Sequence, residues 1–323
     1  MPVPSEIEAM PRPVKIEFVP SQTIIEPLSS CSLAEAVQVW NEGFRGYFAD
    51  MTLSLDGYLA RMYEEGMSAE NSLVAYYDGK LAGCLLNGIR ANGTRKMAWN
   101  GGTGVIAEFR GRGVGKALVR AALNLYGERQ VDVATLEALA QNEPAIKLYQ
   151  SCGYEVVDRL ILLQHDGKVQ FPEPRHSYSI KTVTPYEVGQ LEFYQNGAPW
   201  QSQWQGMMTN HGKAAVVYEN DSPVGYVLYR KRFDDQGKPN GIRLHQCLAK
   251  PGHEYSEAIV LTALRYAYSP LDHDFHRGTH NLSQSNEIVC TILRDAGFTT
   301  FVEQVQMEKQ VNNHVRQNHQ SPV

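Results

Sequence analysis

From Ser32 the chain reads SLAEAVQVWNEGF, with apolar residues every three or four positions, the spacing of an amphipathic helix. Ser32 is a candidate N-cap, and Glu35 three residues on completes a capping box. A second helix is predicted across LSLDGYLARMYEEG. The period then changes. SLVAYYDGKLAGCLLNGIR reads as two strands joined at Asp78-Gly79, and MAWNGGTGVIA as a third, interrupted by Gly101 and Gly102, where a bulge or a close backbone approach is expected. In EFRGRGVGKALVRAALNLYGERQ, Leu118, Ala121, Ala122 and Leu125 return to helical spacing behind a glycine-rich loop, with Gly127 as the expected stop. DVATLEALA is a strand. NEPAIKLYQSCGYE is a helix with Pro144 in its first turn and Gly153 beyond its end, and EVVDRLILLQ is a closing strand. The first fifteen residues form a proline- and charge-rich lead-in, DGKVQFPEPRHSYS a linker, and the polar tail from Val311 a frayed end.

Beyond the linker the pattern repeats in weaker form. AVVYENDSPVGYVLYRKR parallels LVAYYDGKLAGCLLNGIR, matching Gly225 to Gly83 and Tyr218 to Tyr76. SEAIVLTALRYA parallels GKALVRAALNLY, matching Ala258 to Ala117 and Leu264 to Leu123. SNEIVCTILRDAGF parallels QNEPAIKLYQSCGY, matching Asn286-Glu287 to Asn142-Glu143 and Gly297 to Gly153. The offset drifts only from 141 to 144, so order and spacing both hold, and the chain reads as a tandem repeat of one α/β fold.

Composition narrows the class. The 323 residues are 43% hydrophobic and 20% charged, long enough for two globular domains. A net charge of −5 argues against a nucleic-acid binder. Cys31, Cys84, Cys152, Cys247 and Cys290 are scattered and odd in number, which fits reduced thiols rather than disulfides or a zinc cluster. No apolar run approaches the roughly 20 residues of a bilayer span, and the N-terminus lacks the apolar core of a secretory signal. The expectation is a cytoplasmic protein with no membrane partner, monomeric or homodimeric. His273, His276 and His280 invite a metal reading, but they stand in a loop pattern without ligand spacing, so no metal is expected.

The strongest chemical signal is Arg110-Gly111-Arg112-Gly113-Val114-Gly115-Lys116, between a strand and a helix. Glycines let successive amides turn toward one ligand, the helix N-terminus adds partial positive charge, and three cationic side chains add full ones. This suits a pyrophosphate. A Walker loop fails because Arg110 replaces its first glycine and Ala117 its hydroxyl residue. A dinucleotide fingerprint counted from Gly111 fails at Lys116.

R-x-x-G-x-G (Arg110, Gly113, Gly115) after GTGVIA resembles the acetyl-CoA loop of the GCN5-related N-acetyltransferase (GNAT) superfamily. That family's second motif is matched by LEALAQNEPAIKLYQSCGY, with Asn142, Ala145, Tyr149, Gly153 and Tyr154. The resemblance implies an α/β fold with a mixed sheet in two tandem GNAT-like domains: a catalytic one at 16–165 and a degenerate one at 178–310. It implies an N-acetyltransferase that moves acetyl from acetyl-CoA directly to a primary amine, on a small molecule or a peptide N-terminus. The alternative is a non-catalytic acyl-CoA sensor or scaffold.

In this resemblance Val105 and Ile106 pair with the pantetheine arm, and the Val105 amide is a candidate oxyanion donor. The amides from Arg110 through Gly111, Arg112, Gly113, Val114 and Gly115 to Lys116 hold the pyrophosphate, and Asn142 contacts or orients the coenzyme. Tyr149 protonates the leaving thiolate, or else is a core residue at i+4 from Ala145. The family's usual strand carboxylate is missing between Met97 and Ile106, where Trp99 stands. Glu137, five residues before Asn142, matches the base of ribosomal-protein N-terminal acetyltransferases, or else is a solvated strand acid. Glu42 is a third option, or an exposed helix acid. Cys152 lacks a nearby His and is not a nucleophile candidate. In the second copy Pro251, Glu254 and Ser256 align with Arg110, Gly113 and Gly115, and Leu293 with Tyr149. That copy is expected not to bind coenzyme A productively, but to complete the fold and wall the acceptor site. Trp200 and Trp204 line that site or belong to the core.

Overall fold

The computed structural model describes residues 23–92 and 94–312; the lead-in, the first residues of the 16–165 segment and the tail from 313 lie outside the described residues. The first half runs β1 (Thr23–Pro27), α1 (Leu33–Gly43), α2 (Leu55–Glu64), β2 (Leu73–Tyr77), β3 (Lys80–Asn92), β4 (Arg95–Val105), α3 (Val114–Glu128), β5 (Val133–Leu139), α4 (Glu143–Ser151) and β6 (Glu155–Gly167). The second runs β7 (Ser179–Val183), α5 (Pro185–Gly189), α6 (Trp204–Thr209), β8 (Lys213–Glu219), β9 (Ser222–Phe233), β10 (Pro239–Ala249), α7 (Ser256–Ala267), β11 (Phe275–Thr279), the two-residue β12 (Leu282–Ser283), α8 (Glu287–Asp295) and β13 (Thr299–Gln310). Apart from β12, the halves share one element order, and the fold is the α/β tandem repeat expected.

Local chemistry explains the boundaries. Ser32 Oγ accepts the Glu35 amide at 3.2 Å, and Glu35 Oε2 accepts the Ser32 amide at 2.8 Å. Such a cap stabilises a helix start by about 1 kcal/mol. Asp78 and Gly79 both have positive φ (49° and 75°), the requirement of a tight hairpin turn between β2 and β3. Gly127 does not stop α3. The helix runs on to Glu128, and Gln130 at φ 54° takes the left-handed position instead. Its amide bonds Gly127 O and that of Val131 bonds Tyr126 O, closing a Schellman motif. The linker is only partly a linker. Val169 and Phe171 are apolar and bury their side chains in the core of the second half.

The strands form one continuous sheet in the order β1-β2-β3-β4-β5-β13-β6-β11-β10-β9-β8-β7. Each half therefore lends its last strand to the other. β13 lies between β5 and β6, and β6 lies between β13 and β11. In the first half α3 covers one face of the sheet through Val114, Leu118, Val119, Ala122 and Tyr126, while α1 covers the other through Ala36, Val39 and Trp40. Trp200, from the second half, is buried in the α1-side core. Arg90 stacks on its ring at 3.6 Å and donates to its carbonyl at 2.7 Å.

The repeat is legible in matching constraints. A Cβ on Gly83 would lie 2.7 Å from Gly104 O, and one on Gly225 would lie 2.3 Å from Ile259, so both halves need glycine beneath a packed neighbour. Asn142 and Asn286 both cap their helices, accepting from the amides of Ala145 and Val289. Among the described residues no helix is long and apolar enough to cross a membrane.

Candidate active site

β4 pairs with β5 in parallel only from Met97↔Val133 to Asn100↔Leu136. Past that point β5 pairs with β13 alone, and the β3–β4 register slips, leaving Gly101 without a partner on β3. A bulge re-aims a strand, and here β4 parts from β5 and opens a wedge at the interrupting glycines. Ile106 donates its amide to Ala82 O on β3. By strand alternation Val105 and Thr103 turn their backbone groups to the open side. Val105 thus faces the wedge while Ile106 does not.

At the end of β4 the chain turns into α3 through Gly111 (φ 76°) and Gly113 (φ 85°), a left-handed conformation that glycine adopts without strain. The amides of Gly111, Gly113, Val114, Gly115 and Lys116 have no hydrogen-bond partner among the described residues. The others in the loop are engaged: Arg110 N–H bonds Ala107 O and Arg112 N–H bonds Phe109 O. Arg110 is a brace rather than a free cation. Its Nε donates to Val105 O at 2.9 Å, and its Nη2 to the carbonyls of Gly43 and Arg45, both at 3.0 Å. Five free amides at a helix N-terminus form a cradle that fits a diphosphate.

Tyr149 lies on α4, buried, its ring edge-on to Tyr154. Burial raises its phenol above the ordinary value, while the side chains of Thr103 and Asn100 hydrogen-bond it and pull the other way. Both belong to the bulged stretch of β4, so Tyr149 points at the wedge. Asn142 caps α4, and its side chain also meets the Tyr47 hydroxyl.

Glu137 lies on β5 just past the last β4 pair. Trp99 Nε1 donates to its Oε2 at 2.7 Å, and its Oε1 is buried without a partner among the described residues. Burial lifts its carboxyl from the ordinary 4.5 to about 7, the Trp99 hydrogen bond opposing and the nearby Glu65 adding to the rise. The solvated-acid reading does not describe this residue. Trp99 in turn stacks on Trp200, centroids 5.7 Å apart and planes 8° apart, and Trp200 Nε1 donates to Glu65 O. The second half therefore forms part of the wall behind Glu137. Trp204 instead packs on Tyr186 of α5. Glu42 takes a hydrogen bond from Gln38 on the exposed surface of α1.

Sequence reasoning missed Arg61. Its Nη2 donates to Gly101 O at 2.8 Å, its Nε pairs with Glu65 at 3.1 Å, and its guanidinium lies 4.4 Å from the Trp40 ring centroid. It ties α2 to the bulge. The contact spans forty positions, and no local pattern signals it. The three histidines separate: His273 bonds Asp272, His276 bonds Asp166, and His280 faces His245.

The profile of the acetyltransferase (GNAT) family matches residues 35–154. This segment is a GNAT domain. It spans the wedge, the amide cradle, Glu137 and Tyr149. A GCN5-related N-acetyltransferase from Anabaena variabilis superposes over 90% of this chain and 73% of its own, with a TM-score of 0.58 at 17% identity. A tandem GNAT protein from the clavulanic acid biosynthesis pathway covers 90% of this chain and 99% of its own (TM-score 0.57, 12% identity). The glucosamine N-acetyltransferase region of a fungal multi-domain β-N-acetylglucosaminidase covers 90% of this chain and 38% of that one (TM-score 0.65, 15% identity). At these identities the likeness is one of fold, and it extends over both halves. No curated protein matches the chain in sequence.

Proposed function

We propose that the protein is an N-acetyltransferase that moves acetyl from acetyl-CoA to a primary amine in a single direct transfer, in the GNAT half of the chain. The observation that carries the reading is the wedge between β4 and β5, with a cradle of unpartnered amides at its outer end and a raised carboxyl at its inner end.

The amides of Gly111 and Gly113 to Lys116 hold the diphosphate, and the open edge of β4 at Val105 holds the pantetheine arm. The Val105 amide faces the open side of β4 and is the donor we assign to the charge that develops on the thioester oxygen. The thioester supplies an activated acyl carbon. Glu137, whose carboxyl burial lifts to about 7, is a stronger base than an ordinary carboxylate and takes a proton from the attacking amine. The new N–C bond forms as the C–S bond breaks, and Tyr149, which keeps its proton because it is buried, gives it to the departing sulfur. Solvent then restores both groups. Asn142 shapes the start of α4 and so the placement of Tyr149.

The second half serves as wall and lender of β13, not as a second active site. β10 also leaves β11 after Leu244, at the bulge marked by His245, but the gap is filled. Asn286 Nδ2 donates to Cys247 O at 2.9 Å across it, and a cavity of only about 20 Å³ remains there, with a shallow groove of about 360 Å³ outside. Its loop carries Pro251, which lacks an amide hydrogen, and Glu254, which repels phosphate. All five cysteines are free, which supports a reducing, cytoplasmic setting.

The test is free-thiol release from acetyl-CoA by the full chain with a panel of amines. Acceptor-dependent release is expected. Tight acetyl-CoA binding without release from any amine would instead make the protein a sensor or scaffold.

A further inference from the structure

A cleft of about 850 Å³ lies between α2 of the GNAT half and the β8–β10 sheet of the second half. It adjoins the reacting end of the wedge. Arg61 lines the cleft and bonds Gly101 O at the bulge, and Glu65 lines it close enough to Glu137 to influence that carboxyl. Six lysine and arginine side chains line the cleft against two glutamates. Both glutamates are already matched, Glu65 by Arg61 and Glu64 by Arg230 at 3.3 Å.

The excess positive charge is built into the sheet. Arg230 on β9 and Arg243 on β10 are direct register partners. Their Cβ atoms are therefore about 5 Å apart on one face, an arrangement that destabilises a sheet when the charges are alike. Arg232, two residues along β9, stands on the same face. Neither Arg232 nor Arg243 has a hydrogen-bond or carboxylate partner among the described residues, although Arg243 is half-buried. Burial and the two neighbouring arginines lower its pKa. Deeper in, Gln201 Oε1, Asn210 Oδ1 and His280 Nε2 are buried without a hydrogen-bond partner among the described residues. His280 is kept neutral, at about 4, by burial and by Arg243 and Arg230, so its unpartnered nitrogen can donate or accept. A half-buried guanidinium facing another calls for an anion that bridges them, while the Gln201 and Asn210 oxygens, which only accept, are open to the donor groups of the same molecule.

We infer that this cleft holds an anionic group of the acceptor, so that the acceptor is a small amine bearing a carboxylate or a phosphate. Polyamines and aminoglycoside-type polycations are disfavoured by the same field. The inference rests on the transfer reading above and names its acceptor class.

The test uses the full chain with saturating acetyl-CoA and matched acceptors: amino acids against their decarboxylated amines, and phosphorylated amino sugars or amino alcohols against the dephosphorylated forms. The anionic member of the productive pair is expected to be favoured on the order of 100-fold or more in kcat/KM, because its absence leaves buried charge unmatched. Which set responds tells carboxylate from phosphate. Arg243→Gln is expected to cut that preference at least tenfold with the KM for acetyl-CoA unchanged. It should keep or raise the melting temperature of the free protein, because it removes a like-charge pair. Independently of turnover, inorganic phosphate added to the acetyl-CoA-saturated protein should raise the melting temperature of the wild type and not that of the Arg230→Gln/Arg243→Gln variant. Equal or better use of the neutral amines, or of polyamines, would overturn the inference and leave acyl transfer standing. No thiol release from any pair would overturn the transfer reading and the acceptor class with it, while the phosphate response would still report whether the cleft binds anions.

Discussion

Glu137→Gln separates the roles of a buried carboxyl. The amide oxygen can still accept the Trp99 indole hydrogen, which now reaches Oε2 at 2.7 Å, so the geometry is retained while the charge and the basicity are lost. A positioned general base is worth about 10²–10⁴-fold, and with Glu137 proposed in that role the variant should lose that much in kcat/KM. The wild-type profile should rise with pH through about 7, where this carboxyl ionises, and the variant should lose that limb. Stability should move the other way. Burial raises the folded value from 4.5 to about 7, so between these pH values the native state holds a proton that the unfolded chain has released. Wild-type stability therefore falls as pH rises from about 4.5 to about 7 and is level in this group's contribution above that. A difference of about 2.5 pH units at about 1.4 kcal/mol each bounds the cost at about 3.5 kcal/mol. Glu137→Gln should recover part of it at pH 8.5, a rise of a few degrees in melting temperature that fades toward pH 4.5. Steady-state rates on one acceptor across pH 5–9, with thermal melts in the same buffers, make the measurement. Wild-type activity with the limb near 7 intact would remove Glu137 as the base. An unchanged melting temperature at pH 8.5 would refute its burial as a charge.

Tyr149→Phe should lower kcat by about 10²–10⁴-fold with acetyl-CoA affinity nearly unchanged, read by single-turnover rates and titration; equal turnover would return Tyr149 to the core. A chain ending at residue 177 should not yield a folded acetyltransferase, because β5 would lose β13 along its length and Trp99 would lose Trp200. Co-expression of the two pieces should restore a folded species on size-exclusion chromatography. A well-folded, active N-terminal piece would contradict the structural role of the exchanged strand.

The parts of this molecule readable from the sequence are those fixed by neighbours in the chain. The Ser32 box, the Asp78-Gly79 turn, the Asn142 cap and the glycine loop each depend on residues within a few positions of one another. The alignment of the halves also needed only order and spacing. The strand exchange was not legible, because β6 and β13 carry the same apolar alternation whichever sheet receives them, and the choice is made by contacts more than a hundred residues apart. Gly127 misled because a left-handed Gln130 supplied the helix end instead. The environment of Glu137 depends on Trp99 and Trp200, thirty-eight positions before it and in the other half, so its carboxyl could not be told from a solvated one beforehand. The basic cleft was equally hidden, since Arg61, Arg230 and Arg243 meet only when the halves pack.

The central claim is that the amides at the start of α3 grip a diphosphate whose thioester lies along β4. Titration calorimetry of acetyl-CoA into the full chain, beside Gly113→Ala, tests it. One equivalent should bind per chain. The variant should bind at least tenfold more weakly, because alanine resists the left-handed turn at φ 85° by about 1–2 kcal/mol. Absence of heat, two equivalents per chain, or unchanged affinity in the variant would contradict it.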